Sequence, residues 1–180
     1  LPYSTAVLSG TAVVLTSGAT VSGVDFTLPR GGVISGIVTD QATGLPLSSV
    51  SVYVYNAAGG QVASLSPDAA GFYATVGLPA GTYYVKATNG MGYVDELYNG
   101  IPCPAGSCSV TSGTPVVLTG AATATVNFAL ARGATISGTI TDQATGLPLV
   151  APYVRAYNRG GASVSASAYP NGAGAYASGG

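Results

Sequence analysis

The residue types that most often carry catalysis are scarce in this sequence. It contains no histidine and a single lysine, Lys86, among five basic and six acidic residues. Serine and threonine hydroxyls are plentiful, but a hydroxyl needs a neighbouring base before it can attack a substrate. The only adjacent carboxylates, Asp95 and Glu96, would point to opposite faces of a strand and could not work as an acid–base pair. The sequence therefore predicts a protein that is not an enzyme.

Metal and phosphate sites are not indicated either. Asp40, Asp68 and Asp142 each stand alone in a turn-like segment, without the cluster of oxygen ligands that Ca²⁺ requires. Each is better explained as a cap on the backbone N–H groups of its own turn. The glycine pair at residues 31–32 does not open a helix, so it indicates a hairpin or linker rather than a phosphate-binding loop. We expect no metal and no cofactor.

The two cysteines can form a local crosslink. Cys103 and Cys108 enclose the sequence Pro-Ala-Gly-Ser between two predicted strands. A disulfide across such a loop is sterically feasible, and without histidine the two thiols could not complete a metal site. We predict the disulfide, which indicates an oxidising, extracellular compartment. The position aligned with Cys108 in an earlier partial repeat is Thr5, so the bridge would be a local staple rather than a general feature.

Tyrosines are the residues best suited to form a binding surface. The chain has twelve, and the candidates for an interface or a glycan contact are Tyr53, Tyr55, Tyr83, Tyr84 and Tyr157. Exposed tyrosines serve packing and subunit interfaces, because they offer a large contact area with a polar tip. A sugar-binding platform is the less favoured interpretation and stays open. No Asn-x-Ser/Thr sequon occurs, so any glycan would be O-linked to the Ser/Thr-rich turns.

A long repeat organises the elements that must position these side chains. Residues 34–47, ISGIVTDQATGLPL, recur at 136–149 as ISGTITDQATGLPL, so that Asp40 becomes Asp142 after a shift of 102 residues. Repetition at this spacing is typical of tandem copies of one small module. A module of about 100 residues also has the commonest size for a domain.

The repeat divides the chain into three parts. Residues 1–30 are predicted to hold the closing strands of a split module, at 11–16 and 22–28. Residues 31–130 form a complete module, and residues 131–180 hold the opening strands of another split module. Since residue 1 falls inside a module, the sequence resembles a mature or excised piece of something longer.

The composition and patterning predict an all-β protein. Val50, Val52 and Val54 alternate with polar or aromatic neighbours, as in a strand with one buried face. The second copy indicates the inward face, because Tyr53 is replaced there by Arg155 while the valines stay apolar. Strands at spacings near ten residues, separated by turn signals, are typical of a Greek-key β-sandwich. The predicted strands of the complete module are 33–39, 50–55, 61–66, 71–76, 82–88, 93–98, 115–119 and 123–130.

Charge excludes several classes of partner. Charged residues make up 6% of the chain and the net charge is −1, so no basic stripe is available for nucleic acid or anionic lipid. No apolar run approaches the ~20 residues that a membrane span needs, so we expect no membrane insertion. A sparsely charged surface also tolerates self-association, because little repulsion opposes it.

Three motifs resemble a known family. The runs at 34–56, 68–73 and 77–88, the first two partly repeated at 136–158 and 174–176, are similar to carboxypeptidase regulatory-like modules. That resemblance implies a transthyretin-like (prealbumin-like) sandwich of seven strands, often strung in tandem in bacterial surface and secreted proteins. It implies no single function, because such modules serve as spacers, stalks, accessory domains and adhesin parts.

A related family, the collagen-adhesin B-type modules, joins a lysine to an asparagine through an isopeptide bond assisted by an acidic residue. Here the lysine Lys86 falls in a late strand rather than near the start of the module, and the one glutamate is Glu96. This pattern does not match that family. We therefore expect no isopeptide bond and place Lys86 on the outward face of its strand.

These observations lead to two hypotheses of function. The first is an extracellular structural protein, part of a surface fibre, in which residues 1–28 of one subunit complete the half-module at 133–180 of the next. Such a contact is head-to-tail and would build a homopolymer by strand addition. The alternative is a non-catalytic spacer or glycan-binding array from a larger surface enzyme or adhesin.

Overall fold

The computed structural model describes residues 11–103, 106, 108–157, 159–161 and 163–178. Its regular structure is almost entirely β, with a 3₁₀ turn at Val110–Ser112, so the all-β prediction is confirmed. The strands are β1 (Val33–Asp40), β2 (Val50–Asn56), β3 (Gln61–Leu65), β4 (Phe72–Ala74), β5 (Gly81–Asn89), β6 (Glu96–Leu97), β7 (Ile101–Pro102), β8 (Val116–Leu118), β9 (Thr123–Thr125), β10 (Phe128–Leu130), β11 (Ser137–Thr139), β12 (Val154–Tyr157), β13 (Ser163–Ala168) and β14 (Ala175–Ala177).

The central part of the chain folds as a sandwich of two sheets. In the first sheet β1 runs parallel to β9 and β10 and antiparallel to β4. In the second, β5 lies between β2 on one side and β6 and β8 on the other, with β3 beyond β2 and β7 beyond β6. The chain passes between the sheets after β1, after β3, after β4 and after β8. The predicted β-sandwich is therefore confirmed.

Alternation in β2 decides which of its sides enters the core. Val50, Val52 and Val54 are at most 2% exposed, whereas Tyr53 and Tyr55 lie partly exposed on the other face. The predicted inward orientation of the valines is confirmed. Each fully buried side chain of this size contributes about 1.5–3 kcal/mol relative to an exposed one.

The core lies between the two sheets. Its members from β1 and β10 include Ile34, Val38, Phe128 and Leu130, all at most 1% exposed. The remaining buried members are Leu47, Val50, Val52, Val54, Tyr73, Leu78, Tyr83, Val85, Ala87, Tyr93, Val116, Leu118 and Val126. The closing strands of the module thus supply a large share of its apolar interior.

Gly36 allows the closest approach between β1 and the segment joining β9 to β10. A Cβ at this position would lie 1.8 Å from the Val126 carbonyl oxygen. The Val126 N–H donates to the Ser35 carbonyl at 2.8 Å, and the Tyr73 hydroxyl donates to the Val126 carbonyl. No other residue type would fit at Gly36 without moving this backbone.

The predicted strand 123–130 is divided into β9 and β10 at residues 126–127, and two other strands are at least three residues shorter than predicted. The predicted strand 71–76 is formed only as β4, since the Thr75 hydroxyl accepts the Ile34 N–H at 3.0 Å and replaces a backbone acceptor. The predicted strand 93–98 is formed only as β6, because the Asn89 side chain bonds both the N–H and the carbonyl of Tyr93 and holds a turn there.

The predicted strands 11–16 and 22–28 are not formed in the described residues. We call residues 11–30 the closing segment; it has no regular strand and is exposed throughout. A strand needs a hydrogen-bonding neighbour, and this segment has none within the described chain. Residues 1–10, including Thr5, lie outside the described residues, as do Pro104, Ala105, Ser107, Asn158, Ala162, Gly179 and Gly180.

The described residues of 133–178, here called the opening segment, repeat the first four strands of the module. β11 pairs antiparallel with β14, as β1 does with β4, and β12 pairs with β13, as β2 does with β3. The turn after β11 is also repeated, with Asp142 in the place of Asp40. The local pairings of the opening segment therefore form, although the strands that close a module do not cover them.

Candidate functional site

The carboxylates of the described residues do not come together in one cluster. In the part of the chain that the structure describes, no three His, Cys, Asp or Glu side chains come together to hold a metal. Asp95 accepts the Asn89 N–H at 3.0 Å and so holds a turn. Burial raises the pKa of the neighbouring Glu96. No helix of the described residues is both long and apolar enough to cross a bilayer.

Asp40 anchors a polar cluster that sequence reasoning found only in part. Its Oδ1 accepts the N–H groups of Ala42 and Thr43 at 2.9 and 3.0 Å, which confirms the predicted turn cap. Its Oδ2 accepts the Tyr93 hydroxyl at 2.7 Å and Arg132 Nε at 3.2 Å. The tyrosine hydroxyl and the two N–H groups, with a smaller contribution from Arg132, hold the pKa of Asp40 well below its usual range.

Arg132 completes this cluster from the far end of the module. Its Nη2 donates to the Tyr93 hydroxyl at 3.0 Å, and its guanidinium lies 4.9 Å from the centre of that ring. The arginine side chain is 68% exposed, so the ion pair itself contributes little and the hydrogen bonds to Asp40 dominate. The sequence indicates that this arginine accompanies the aspartate, because Arg30 and Arg132 recur with the same 102-residue shift as Asp40 and Asp142.

The cluster predicts a loss of stability in acid. A carboxyl whose pKa is lower in the folded state stabilises that state above its unfolded pKa of ~3.9, and the contribution disappears as pH falls towards the folded pKa. We expect the melting temperature to fall between pH 5 and pH 2, and Asp40→Asn to lower it at pH 7 while flattening this dependence. Thermal unfolding followed by circular dichroism checks this, with Asp25→Asn in the exposed closing segment as the control. An unchanged pH profile in Asp40→Asn would contradict it.

Cys103 and Cys108 are joined by a disulfide that closes a loop over the outer face of β5. The loop covers Lys86, which is 8% exposed and donates from Nζ to the Gly106 carbonyl at 3.0 Å. The expectation of an outward Lys86 is therefore right about the face of β5 and wrong about solvent exposure. Leu97 of β6, the register partner of Lys86, is 1% exposed on the same face of the sheet.

Removal of the disulfide is expected to cost moderate stability. In the chain-entropy account, a crosslink closing a loop of this length contributes about 2 kcal/mol. The variant with Cys103→Ser and Cys108→Ser should lose about that free energy of unfolding in urea, and Lys86 should become accessible to amine-reactive reagents. Equal stability of the oxidised and serine forms, with Lys86 still protected, would show that the loop packs without the bond.

The predicted tyrosine surface is only partly present. Tyr53, Tyr55 and Tyr84 lie half-buried on the outer face of the second sheet, where Tyr55 and Tyr84 are register partners. Tyr83 does not belong to it, because it is 6% exposed in the core and its hydroxyl donates to the Pro79 carbonyl at 2.8 Å. Tyr157, the counterpart of Tyr55 in the opening segment, is 58% exposed.

The most unusual surface of the chain is the apolar side of the closing segment. Phe26 and Leu28 are 83% and 84% exposed, whereas their counterparts Phe128 and Leu130 are 1% and 0% exposed. Val24 is 46% exposed, and its counterpart, Val126, is fully buried. The same residue types that make the core of the complete module are therefore presented to solvent here.

The opening segment shows the complementary exposure. Ile136 and Leu149 are 53% and 36% exposed, whereas their counterparts Ile34 and Leu47 are 0% and 9% exposed. In the complete module β9 and β10 pair beside β1 in the first sheet. Among the described residues β11 pairs only with β14, so no strand lies beside it where β9 and β10 lie beside β1.

The surroundings of Asp142 and Gly138 differ from those of their counterparts Asp40 and Gly36. Asp142 caps its turn through Ala144 and Thr145, but no tyrosine or arginine of the described residues reaches its carboxylate, unlike Asp40. A Cβ at Gly138 would lie 2.9 Å from the Tyr176 hydroxyl oxygen, so the tyrosine ring occupies the space that Val126 fills beside Gly36.

Comparisons with known proteins give one family and several distant structural likenesses. The family model described as the carboxypeptidase regulatory-like domain matches residues 33–131. Among solved structures, the Bacillus anthracis TIE protein is 21% identical with a TM-score of 0.45, over 81% of this chain and 26% of that one. A streptococcal ancillary pilin is 16% identical with a TM-score of 0.46, over 81% of this chain and 49% of that one.

The Klebsiella pneumoniae 5-hydroxyisourate hydrolase is 21% identical with a TM-score of 0.40, over 57% of this chain and 92% of that one. The chain thus spans less than half of the first two structures, 26% and 49%. The comparison with curated proteins found no match.

Proposed function

The chain belongs to the carboxypeptidase regulatory-like domain family, and from that premise we propose that it is an extracellular structural protein without catalytic activity. It is a subunit or segment of a surface fibre built from tandem β-sandwich modules. Its split end modules are completed head-to-tail by neighbouring subunits.

One observation carries this proposal: both end segments expose residues that the complete module buries. Phe26, Leu28 and Ile136 are more than half exposed, while each has a counterpart in the core at 0% or 1% exposure. Burying apolar surface contributes about 25 cal/mol per Å², so two such complementary faces attract each other strongly. Unpaired strand edges add backbone hydrogen bonds to that attraction.

The positions at which the chain enters and leaves the module favour a linear array. Residues 11–30 lead into the start of β1, whereas β10 runs parallel to β1 and delivers the chain to residue 133 at the opposite end. β1 has eight residues, which span about 26 Å at ~3.3 Å per residue. A head-to-tail contact between two different surfaces at opposite ends of a module builds an open filament unless its rotation closes a ring.

The disulfide and the low charge support an extracellular location. Disulfides such as Cys103–Cys108 persist in oxidising compartments. With 6% charged residues and a net charge of −1, the surface offers little repulsion between copies. Both properties suit a polymer outside the cell.

The proposal is tested by following assembly of the purified chain with light scattering and negative-stain electron microscopy over a range of concentrations. We expect regular fibres whose formation is lost on deletion of residues 1–28, while the central module keeps its circular dichroism and its melting temperature. A chain that stays monomeric at high concentration would overturn the assembly.

The alternative, a non-catalytic spacer or glycan-binding array of a larger surface enzyme or adhesin, is favoured by one observation. Tyr53, Tyr55 and Tyr84 stand together on the outer face of the second sheet, where stacking on a sugar ring is sterically open. Saturable binding on a glycan array, lost in Tyr53→Ala and in Tyr84→Ala without loss of fold, would support it. Absence of binding with fibres present would exclude it.

A further inference from the structure

We infer that the closing segment of one copy adds as a parallel strand to β11 of a second copy, in one register that places Phe26 opposite Ile140 and Arg30 on Asp142. The inference rests on the proposed function, because it names the partner and the pairing of the same surfaces.

The register follows from the complete module. There β1 pairs parallel with β9 and β10, with Val38 opposite Phe128 and Asp40 opposite Leu130. Shifting each residue by the repeat of 102 places Ile140 opposite Phe26 and Asp142 opposite Leu28. The side chains at these positions are identical or of the same apolar class, so the copied pairing buries the same kind of surface.

Polar groups that fix the register in the complete module have counterparts in the end segments. Asn127 Oδ1 accepts the Ile37 N–H at 3.0 Å, and Asp25 stands in its place in the closing segment. The Thr39 hydroxyl donates to the Phe128 carbonyl at 3.3 Å, and Thr141 is the matching donor. These short side chains reach only a backbone in the correct register.

The charged pair at the end of the strand is also preserved. Arg132 reaches the Asp40 carboxylate at 3.2 Å, and the corresponding residues of the two end segments are Arg30 and Asp142. Within the described residues the Asp142 carboxylate accepts hydrogen bonds from its own turn alone. An arginine from a second copy would supply the partner that the complete module provides internally.

Gly138 provides the room for this approach. Beside Gly36 the Val126 carbonyl lies where a Cβ would be, and Tyr73 donates to that carbonyl. Beside Gly138 the same space holds the Tyr176 ring, a side chain that can turn aside. When Val24 of the neighbouring copy approaches β11, Tyr176 can donate to the Val24 carbonyl as Tyr73 donates to the Val126 carbonyl.

The occupant is a second copy because the two segments leave the module at opposite ends. Residue 30 precedes β1 and residue 133 follows the parallel strand β10. The copied register would place Asp142 beside Leu28, close to the start of β1, although the chain leaves towards Asp142 from the opposite end of the module. A neighbouring copy placed in line meets this condition directly.

The inference is strand-specific. Neither end segment contains a counterpart of β5, which lies between β2 and β8 in the complete module. The added strand therefore extends the first sheet of the split module, beside β11. The inferred pairing involves β11 and not β12.

A cysteine crosslink on the full chain tests the register. Thr27 and Thr141 correspond to the register partners Ala129 and Thr39, whose separation in neighbouring strands suits a disulfide. The chain carrying Thr27→Cys and Thr141→Cys should give a ladder of linked multimers on a non-reducing gel. The control pair Thr27→Cys with Thr139→Cys is two residues out of register and should give no ladder.

Mixing the two single variants and mapping the linked peptides by mass spectrometry separates the outcomes. A 27–141 link between two chains is the expected result. Fibres that form with no 27–141 link overturn the register but leave the proposed function standing. A 27–141 link that forms in the double variant but not between the mixed single variants lies within one chain and overturns the second copy as occupant, and the absence of any assembly overturns both proposals.

The ion pair is tested independently by a double-mutant cycle. Arg30→Gln and Asp142→Asn leave a polar side chain at each position and remove its charge. Each should raise the concentration at which fibres appear, and the double variant should raise it no further than the more affected single variant. Independent, additive effects would show that the two side chains do not meet.

Discussion

Replacement of Gly36 by alanine is expected to destabilise the complete module by about 3 kcal/mol. The added Cβ would lie 1.8 Å from the Val126 carbonyl oxygen and 2.6 Å from its carbon, which are backbone atoms that cannot turn aside. β1 and the connection between β9 and β10 would have to separate, with loss of the Val126–Ser35 hydrogen bond. For a domain of this size the change amounts to roughly 15 °C in Tm.

Gly138→Ala is the matched control for that experiment. The same methyl group would meet the hydroxyl end of Tyr176 at 2.9 Å, and a tyrosine side chain can move. The melting temperature of the central module should therefore stay unchanged, while fibre formation should be lost because the Val24 carbonyl can no longer approach. If Gly36→Ala melts like the parent chain, the close approach of β1 to Val126 is wrong. If Gly138→Ala still forms fibres, the pairing of the closing segment with β11 is wrong.

Much of the fold could be predicted because its signals are local. The alternation of Val50, Val52 and Val54 places one face of β2 in the core without knowledge of any partner strand. Comparison of the two copies then distinguishes positions that stay apolar from positions that accept a charged residue, as where Tyr53 is replaced by Arg155. Turn caps are equally local, since Asp40 bonds N–H groups two and three residues away.

What could not be predicted depends on long-range contacts. Arg132 is 92 residues from Asp40, and nothing in their spacing shows that Tyr93 joins them. Lys86 lies on the outward face of its strand, as predicted, but a loop closed by Cys103 and Cys108 covers that face. A pattern of period two reports the side of a sheet and cannot report what lies on top of it.

The closing segment shows the same limit from the other direction. Residues 11–16 and 22–28 have the sequence of strands, because they repeat the positions of β8, β9 and β10. A strand is defined by its hydrogen-bonding neighbour, and the described chain offers none to this segment. Its lack of a regular strand and its exposed Phe26 are therefore compatible with the strand-like sequence, and they are the features on which the proposed strand addition rests.

Phe128→Ala and Phe26→Ala form the most direct comparison between the complete and the split module. Phe128 is 1% exposed at the centre of the core, and its truncation should cost about 3–5 kcal/mol of unfolding free energy, from lost transfer energy and the cavity left behind. Phe26 is 83% exposed in the same sequence context, so its truncation should leave urea unfolding of the isolated chain unchanged.

Phe26→Ala, which leaves the unfolding free energy unchanged, should weaken assembly. In the inferred register Phe26 enters the core of a neighbour, and truncation of a buried anchor at an interface commonly costs 2 kcal/mol or more, which is roughly thirtyfold in affinity. Light scattering should then show fibre formation by Phe26→Ala only at a correspondingly higher concentration, with an unaltered monomer. If Phe26→Ala assembles like the parent chain, its exposed ring does not serve as an anchor, and the resemblance of residues 11–30 to the closing strands has no role in building the fibre.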